Sequence, residues 1–456
     1  MTGYEKIKRM AKEKRCNIPD LLVLARQNDP FFTGSATEKK MAEWFAELWQ
    51  SFNYSEGVHL RRVHYQLISQ EDPRKHNGKP YENTENDWNY LCSAGKYARY
   101  LGLVDPAAFV DRRNPEPHIF NEYDDYLEPG WGYDFPSWWM PEINVDLASD
   151  IDWELPKFGV SGYDYSDSLQ PYHLEVWVEK STMDDVLIPL CGQYGVNLVT
   201  GLGFMSITSV IDLLKRVNKA NKPCRIFYIS DFDPAGDGMP TAVARQIEYW
   251  LTTYAAEADV KLNHIVLTRE QVERYRLPRT PVKDSDRRKA SFEERYGEGA
   301  VELDALEALR PGELAGVVEE NILRFWDSEL QEKIAEARMK AKKELAAHWQ
   351  ARIMPFQGDL DDLKAQVEDV VQKYQVRLEE MREELTSELE PYEDAADSLW
   401  SAIQDAAADI EPSLPALPEP EVEEDDQDWL FDSCRDYFDQ LAAYQAWKSG
   451  QTEKAG

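Results

Sequence analysis

Between residues 174 and 268 the chain alternates apolar strand runs with amphipathic helical stretches, and that alternation leaves few folds open. LEVWVE (174–179), VNLVTG (196–201), CRIFYIS (224–230) and KLNHIVLT (261–268) read as buried strands. STMDDVLIPLCGQYG, SITSVIDLLKRVNKA and a stretch over residues 238–256 read as the helices between them. Strands separated by helix-length crossovers pair in parallel, because a parallel connection must return the chain to the same end of the sheet. Ser181 and Asp184 stand at capping-box spacing before the first of these helices.

Three carboxylates fall where strands end: Glu179 after LEVWV, and Asp231 and Asp233 after CRIFYIS. In a parallel α/β sheet the ligand crevice lies outside the carboxyl ends of the strands, so these acids are expected to share it. Alternation along an extended segment points Asp231 and Asp233 the same way. Clustered oxygen ligands without His or Cys suit Mg2+, which keeps several waters and binds substrate phosphate. The bland alternative, solvated acids on loops, fits any one of them better than the set followed by Pro234 and Gly236. Asp237 is expected to cap the next helix or to support the site from behind. Glu302 and Asp304 in VELDAL are read as surface acids, with a return to the crevice as the lesser reading.

WVEK (177–180), VTGLGF (199–204) and DFDPAG (231–236) together resemble the Toprim signature of a glutamate, a glycine turn and a DxD motif. The DxDPxG form is most similar to the A subunit of topoisomerase VI and its relative, the meiotic double-strand-break protein. Met205 stands where that family often carries proline. The resemblance implies Mg2+ binding by Glu179, Asp231 and Asp233, with Glu179 also catalytic and Lys180 contacting DNA. Gly201, Gly203 and Gly236 would supply tight turns.

The family's nucleophile lies on a preceding winged-helix domain, in a pattern like R-x-x-aromatic-Y. Arg61-Arg62-Val63-His64-Tyr65 stands in that order, with His64 in the aromatic position. The resemblance implies Tyr65 as the attacking group, Arg61 as a catalytic phosphate contact and Arg62 as a DNA-binding neighbour. A tyrosine with a pKa near 10 needs a cation, metal or base to lose its proton, and Arg61, Arg62 and His64 are the candidates. RRVHYQL also reads as a plain amphipathic helix in a chain of 23 tyrosines.

The expected fold is α/β with five regions. Residues 1–113 form a helical, winged-helix-like DNA-binding domain, with helices over 39–52, 61–69 and 84–101 and a short strand-and-turn in LGLVDPAAFVDRRNP. On the helix over 39–52, Met41, Trp44, Phe45, Leu48 and Trp49 share one face. Residues 114–173 make an extended aromatic and acidic connection, and 174–310 the Toprim-like domain with an extension carrying a basic loop (Arg279, Lys283, Arg287, Arg288, Lys289). Residues 311–411 are helical. Leu360, Leu363, Val367, Val370, Tyr374, Leu378, Met381 and Leu385 fit a coiled coil, a helical hairpin or one long packed helix. Residues 412–456 are an acidic linker and tail.

A net charge of −34 opposes DNA binding, but it is unevenly spread: residues 1–113 carry 18 Lys+Arg against 15 Asp+Glu, or +3, and residues 411–456 carry 3 against 12, or −9. Five scattered cysteines without a CxxC pair argue against a disulfide framework, a structural zinc and a zinc-ribbon primase. No run nears the roughly 18 apolar residues of a membrane span, and no apolar segment follows the charged start, so a cytoplasmic protein is expected. The leading expectation is Mg2+-dependent DNA cleavage by tyrosine transesterification, in a homodimer as the resemblance implies. A Walker A loop is missing, so ATP-driven strand passage would need a separate ATPase partner. Two alternatives stand beside it: a hydrolytic Toprim nuclease without a covalent intermediate, and a noncatalytic interaction scaffold.

Overall fold

The structure, a computed structural model, describes residues 3–121, 123, 128–141, 153–374, 382–422 and 427–449. It has helices at its N-terminus, a central β-sheet and helices toward its C-terminus. Four helices open the chain: α1 (Gly3–Lys14), α2 (Ala36–Ser51), α3 (Leu60–Ile68) and α4 (Glu85–Tyr100). An antiparallel pair follows, β1 (Gly130–Asp134) and β2 (Lys157–Ser161). The alternating segment is β3 (His173–Val178), α5 (Asp184–Tyr194), β4 (Asn197–Thr200), α6 (Ile207–Ala220), β5 (Cys224–Ile229), α7 (Met239–Tyr254) and β6 (Val260–Val266). Short helices α8 (Arg269–Tyr275), α9 (Lys289–Tyr296), α10 (Leu303–Leu309) and α11 (Glu313–Leu323) come next. The long helices are α12 (Leu330–Arg352), α13 (Gln357–Tyr374) and α14 (Arg382–Ala408), and β7 (Phe431–Asp432) and α15 (Tyr437–Ser449) close the described chain.

Two compact units interleave along the sequence. One takes residues 1–123, 170–327 and 421–456, and the other 124–169 and 328–420. The first is built on a five-stranded sheet of order β4-β3-β5-β6-β7, parallel except for β7. Strand alternation divides its two faces. Trp177, Ile226, Tyr228 and Leu262 face a core shared with α6, α7, α1 and α15, while Leu174, Val176, Val178, Phe227 and Ile229 face α5 and α8–α11. From β3 the chain passes by α5 to β4 on one side, then by α6 to β5 on the other. The switch point therefore lies between β3 and β5, where such sheets open a crevice. His118 bridges Leu198 on the β4 edge, and the two-residue β7 extends the sheet beyond β6 as its other edge.

Residues 428–449, read from sequence as part of an acidic tail, fold into this unit. Leu430, Phe431, Leu441 and Tyr444 are buried against the sheet's core, an apolar content that the surrounding acids mask in composition. In the N-terminal part, α2 begins with a Ser35–Glu38 capping box and buries Trp44, Phe45 and Trp49 against Val63, Leu67, Leu91 and Ala98 of α3 and α4. The expected strand-and-turn after α4 forms a 3-10 turn over Pro106–Ala108 and a single bridge, Phe109 to Val58. Asp105 accepts from the Ala107 amide at 2.9 Å and Pro106 has no N–H to give a ladder, so local turn chemistry prevails over strand pairing. Among the described residues, 3–113 contain helices and isolated bridges but no strand longer than a bridge.

In the second unit, α13 and α14 make a helical hairpin. Val367, Val370, Tyr374, Leu385 and Leu389 share one core, and Leu360 and Leu363 share another with Trp400 and Ile403. Leu378 and Met381 of the apolar series lie outside the described residues. Trp131, Tyr133, Phe135 and Trp138 of the aromatic connection pack on the core that holds Trp349 and Trp400. Among the described residues, no helix is long and apolar enough to cross a membrane.

Candidate functional site

At the carboxyl ends of β3 and β5 the chain brings Glu179 and the Asp231–Asp233 loop together. The Glu179 amide donates to the Ile229 carbonyl at 3.0 Å, continuing the ladder one residue past the strand. Its carboxylate Oε2 accepts from the Asp231 amide at 3.0 Å, so the glutamate side chain holds the turn that carries the two aspartates. Asp233 Oδ1 accepts from the amides of Ala235 and Gly236 at 2.7 and 2.6 Å, folding DFDPAG back on itself. Gly236 is required there, because a Cβ would sit 2.1 Å from the Asp231 carbonyl oxygen. The glycine turn runs beside this loop: the Gly201 amide donates to Val178 at 2.8 Å and Gly203 takes a φ of +95°. Met205 is buried and its side chain packs on Gly201, filling the place the resemblance gives to proline.

A third segment completes the crevice. The backbones of Phe232 and Val301 bridge, and the Leu303 amide donates to Asp231 Oδ1 at 2.7 Å. This brings Glu302 and Asp304 to the site, where Lys180 Nζ meets Asp231 at 3.1 Å, Asp304 at 2.6 Å and Glu302 at 3.5 Å. Both acids remain exposed on their outer sides, so the surface reading holds for their burial and fails for their partners. Lys180 is thus enclosed by three carboxylates rather than turned outward to a phosphate. Burial alone would depress its pKa, but Asp304 and Asp231 outweigh it and hold the ammonium above the ordinary lysine range.

Two sequence expectations around the crevice are corrected. Asp237 does not cap α7. It pairs with Arg295 at 2.8 Å and accepts from the Tyr296 hydroxyl at 3.0 Å, because α9 packs over the loop and offers stronger donors. The Ser181–Asp184 capping box does not form either. Residues 181–183 make a 3-10 turn, and Asp184 instead accepts from the Thr200 hydroxyl at 3.0 Å across to β4.

The crowding of acids has an electrostatic cost. Burial, then Asp231 and Asp233, push the Glu179 carboxyl from its ordinary 4.5 up to about 7, against the opposing Asp231 amide. Burial likewise raises Asp231, against the Leu303 amide and Lys180. An all-oxygen donor set carrying this repulsion fits a hard divalent cation, which would relieve it. The folded protein binds a proton at Glu179 more tightly than the unfolded chain does. Stability from this group is therefore present below pH 4.5 and is lost as pH rises through about 7. The loss is about 3 kcal/mol at about 1.4 kcal/mol per pKa unit. Thermal unfolding without metal is expected to give a lower Tm at pH 8 than at pH 6, and MgCl2 to restore it at pH 8. Glu179→Gln should flatten both responses; a wild-type Tm indifferent to pH and to Mg2+ contradicts this electrostatic account.

The three carboxylates are not gathered as tightly as ligands around an ion. Among the described residues, one group of three acid, Cys or His ligand atoms lies within 4.8 Å of one another: Asp259, Asp432 and Cys434 at the β6–β7 edge. That group already has cations, Arg225 on Asp259 at 2.9 Å and Lys261 on Asp432 at 3.8 Å.

Tyr65 lies on α3 with 61% of its surface exposed. Arg62 and Arg61, three and four residues earlier, are also exposed and fall on its side of the helix. His64 is not available as a base: it is buried, with Nδ1 2.8 Å from the Tyr81 hydroxyl and Nε2 3.2 Å from Asn83 Oδ1. Among the described residues, none of the hydrogen bonds or ion pairs of Glu179, Asp231 and Asp233 reaches residues 3–113. No protein-family model matches the chain, and no curated protein matches it.

Proposed function

We propose that the protein is a Mg2+-dependent DNA-cleaving enzyme with a Toprim-like site, resembling the A subunit of topoisomerase VI. The observation that carries the reading is the pairing of Glu179 with the Asp231 turn at the switch point of a parallel sheet. Glu179, Asp231 and Asp233 would hold the metal. A divalent cation supplies charge stabilisation to the attacking and leaving oxygens of a displacement at phosphorus.

In the tyrosine mechanism the Tyr65 oxygen bonds to phosphorus as the bond from phosphorus to one deoxyribose oxygen breaks. The phenolic proton leaves to solvent and the departing oxygen takes one up, so the phosphodiester becomes a phosphotyrosyl ester and the step is reversible. Arg61 and Arg62 hold the phosphate at the exposed face of α3. Among the described residues no hydrogen bond or ion pair links the three carboxylates to Tyr65, and a homodimer in which the partner's Tyr65 serves the crevice of the other protomer meets the chemistry. Net strand passage would draw on a separate ATPase, and the reading places the enzyme in the cytoplasm.

The engagement of His64 by Tyr81 and Asn83 favours a second reading, hydrolysis by water at the same crevice with no role for Tyr65. Supercoiled plasmid incubated with Mg2+, then denatured and digested with protease, separates the two. Protein-linked breaks that disappear in Tyr65→Phe support the transesterase. Free ends that persist in Tyr65→Phe establish the hydrolase.

A further inference from the structure

We infer that the glycine turn beside the crevice is a stacking platform for an unpaired base, flanked by a basic rim that takes the phosphates on either side of it. The inference rests on the nucleic-acid reading above and names the form of the substrate strand.

Leu202 and Phe204 are 45% and 50% exposed on adjacent arms of the turn. Exposed apolar side chains on a loose loop would mean little, but this loop is fixed on both sides. Gly201 and Gly203 donate to the carbonyls of Val178 and Glu179 at 2.8 and 3.3 Å, and the Leu202 amide donates to Asn114 Oδ1 at 3.0 Å. Asn114 is in turn held by Asp111 at 2.8 Å, and the Arg113 guanidinium reaches the Leu202 carbonyl at 3.4 Å. The Phe204 ring leans toward Gly238 at the start of α7, so the turn presents the ring from a rigid base next to Glu179.

Two guanidinium groups reach this turn from distant parts of the sequence, Arg113 at the Leu202 carbonyl and Arg288 beside the Phe204 ring. Arg288 lies 5.8 Å from the Phe204 centroid and is steadied there by Asp286 at 3.0 Å. Lys283 and Arg287 of the same loop are exposed, as are Arg112 and Arg113 beside Asn114. The other basic residues of the loop are turned to structure: Arg279 donates to the carbonyls of residues 297–299, and Lys289 pairs with Asp284 at 2.7 Å. In a chain of net charge −34, the Arg113 and Arg288 guanidinium groups set positive charge directly against the exposed turn. An aromatic face edged by guanidinium groups suits a nucleobase with its flanking phosphates. A closed duplex offers phosphates and groove edges but no base face, so the platform selects a strand whose base has left the stack.

The test is fluorescence anisotropy of the full chain in EDTA, where nothing is cut. The probes are a labelled duplex and the same duplex with a central unpaired bubble. Wild type is expected to prefer the bubble. Phe204→Ala should lose roughly tenfold on the bubble and little on the duplex, and Phe204→Trp should keep the preference. Lys283→Gln and Arg287→Gln should weaken both probes alike, each flattening the salt dependence. Phe204→Ala binding the bubble as wild type does, or wild type binding neither probe, overturns the platform. Phe204-dependent binding by a protein that cleaves nothing in Mg2+ overturns the cleavage reading and leaves the platform standing.

Discussion

Asp231→Asn is expected to lower Mg2+-dependent plasmid cleavage by roughly 10³-fold or more while the protein stays folded. The substitution separates charge from geometry. An asparagine Oδ1 can still accept from the Leu303 amide, the 2.7 Å bond that ties residue 303 to the crevice. What it removes is the negative charge that Lys180 meets at 3.1 Å and that a divalent cation would share with Glu179 and Asp233. Losing several kcal/mol of charge stabilisation at the reacting phosphate corresponds to a rate loss of roughly three decades or more. Relieved of one buried charge, Glu179 should move back toward its ordinary value, so the variant's Tm should depend less on pH than wild type's. Initial rates at saturating MgCl2, with Tm measured in parallel, check both halves. Cleavage at the wild-type rate by a folded Asp231→Asn variant would remove the crevice from the reaction.

The second large effect concerns the fold. Arg245 on α7 is fully buried and is the junction of three distant segments. Its Nε lies 3.3 Å from both oxygens of Asp29, one terminal nitrogen meets Glu248 at 2.8 Å, and the other donates to the Tyr437 hydroxyl at 2.5 Å. The Phe31 ring stacks 4.0 Å from the guanidinium. Asp29 also accepts from the amides of Val23, Leu24 and Phe31, so it cannot turn away to water when its partner goes. Arg245→Met therefore leaves the buried Asp29 and the part-buried Glu248 without their cation, a loss of roughly 3–5 kcal/mol. Arg245→Lys should recover only part of this, because an ammonium cannot reproduce the planar fork that meets all three partners. Urea denaturation followed by circular dichroism reads the loss as a lower midpoint; an unfolding free energy within about 1 kcal/mol of wild type contradicts the assignment of Arg245 as the tie.

Where local periodicity and local chemistry agree, the sequence is a good guide. The four parallel strands, the helices between them and α2–α4 all lie where their apolar spacing puts them, because each buries its own face. Glu179 and Asp231 were legible for the same reason: acids directly after apolar strands mark strand ends. Contacts set by distant segments left no such mark. Leu303 reaches Asp231 from 72 residues away, beside the Phe232–Val301 bridge that joins the two segments. Asp237 looked like a helix cap because no short-range pattern announces Arg295. His64 looked free to act on Tyr65 until Tyr81 and Asn83 closed around it. Phe431 sits in an acid-rich stretch whose composition suggests a solvated tail, yet its position pairs with Leu262 at the sheet edge.

The most direct test of the central claim is to trap the protein on end-labelled DNA with Mg2+ and denaturant, digest it, and identify the peptide that retains the label by mass spectrometry. The account predicts a nucleotide joined to the peptide containing Tyr65, absent in Tyr65→Phe and in Asp231→Asn. Labelled DNA with free ends, no retained peptide and undiminished cleavage by Tyr65→Phe would contradict it.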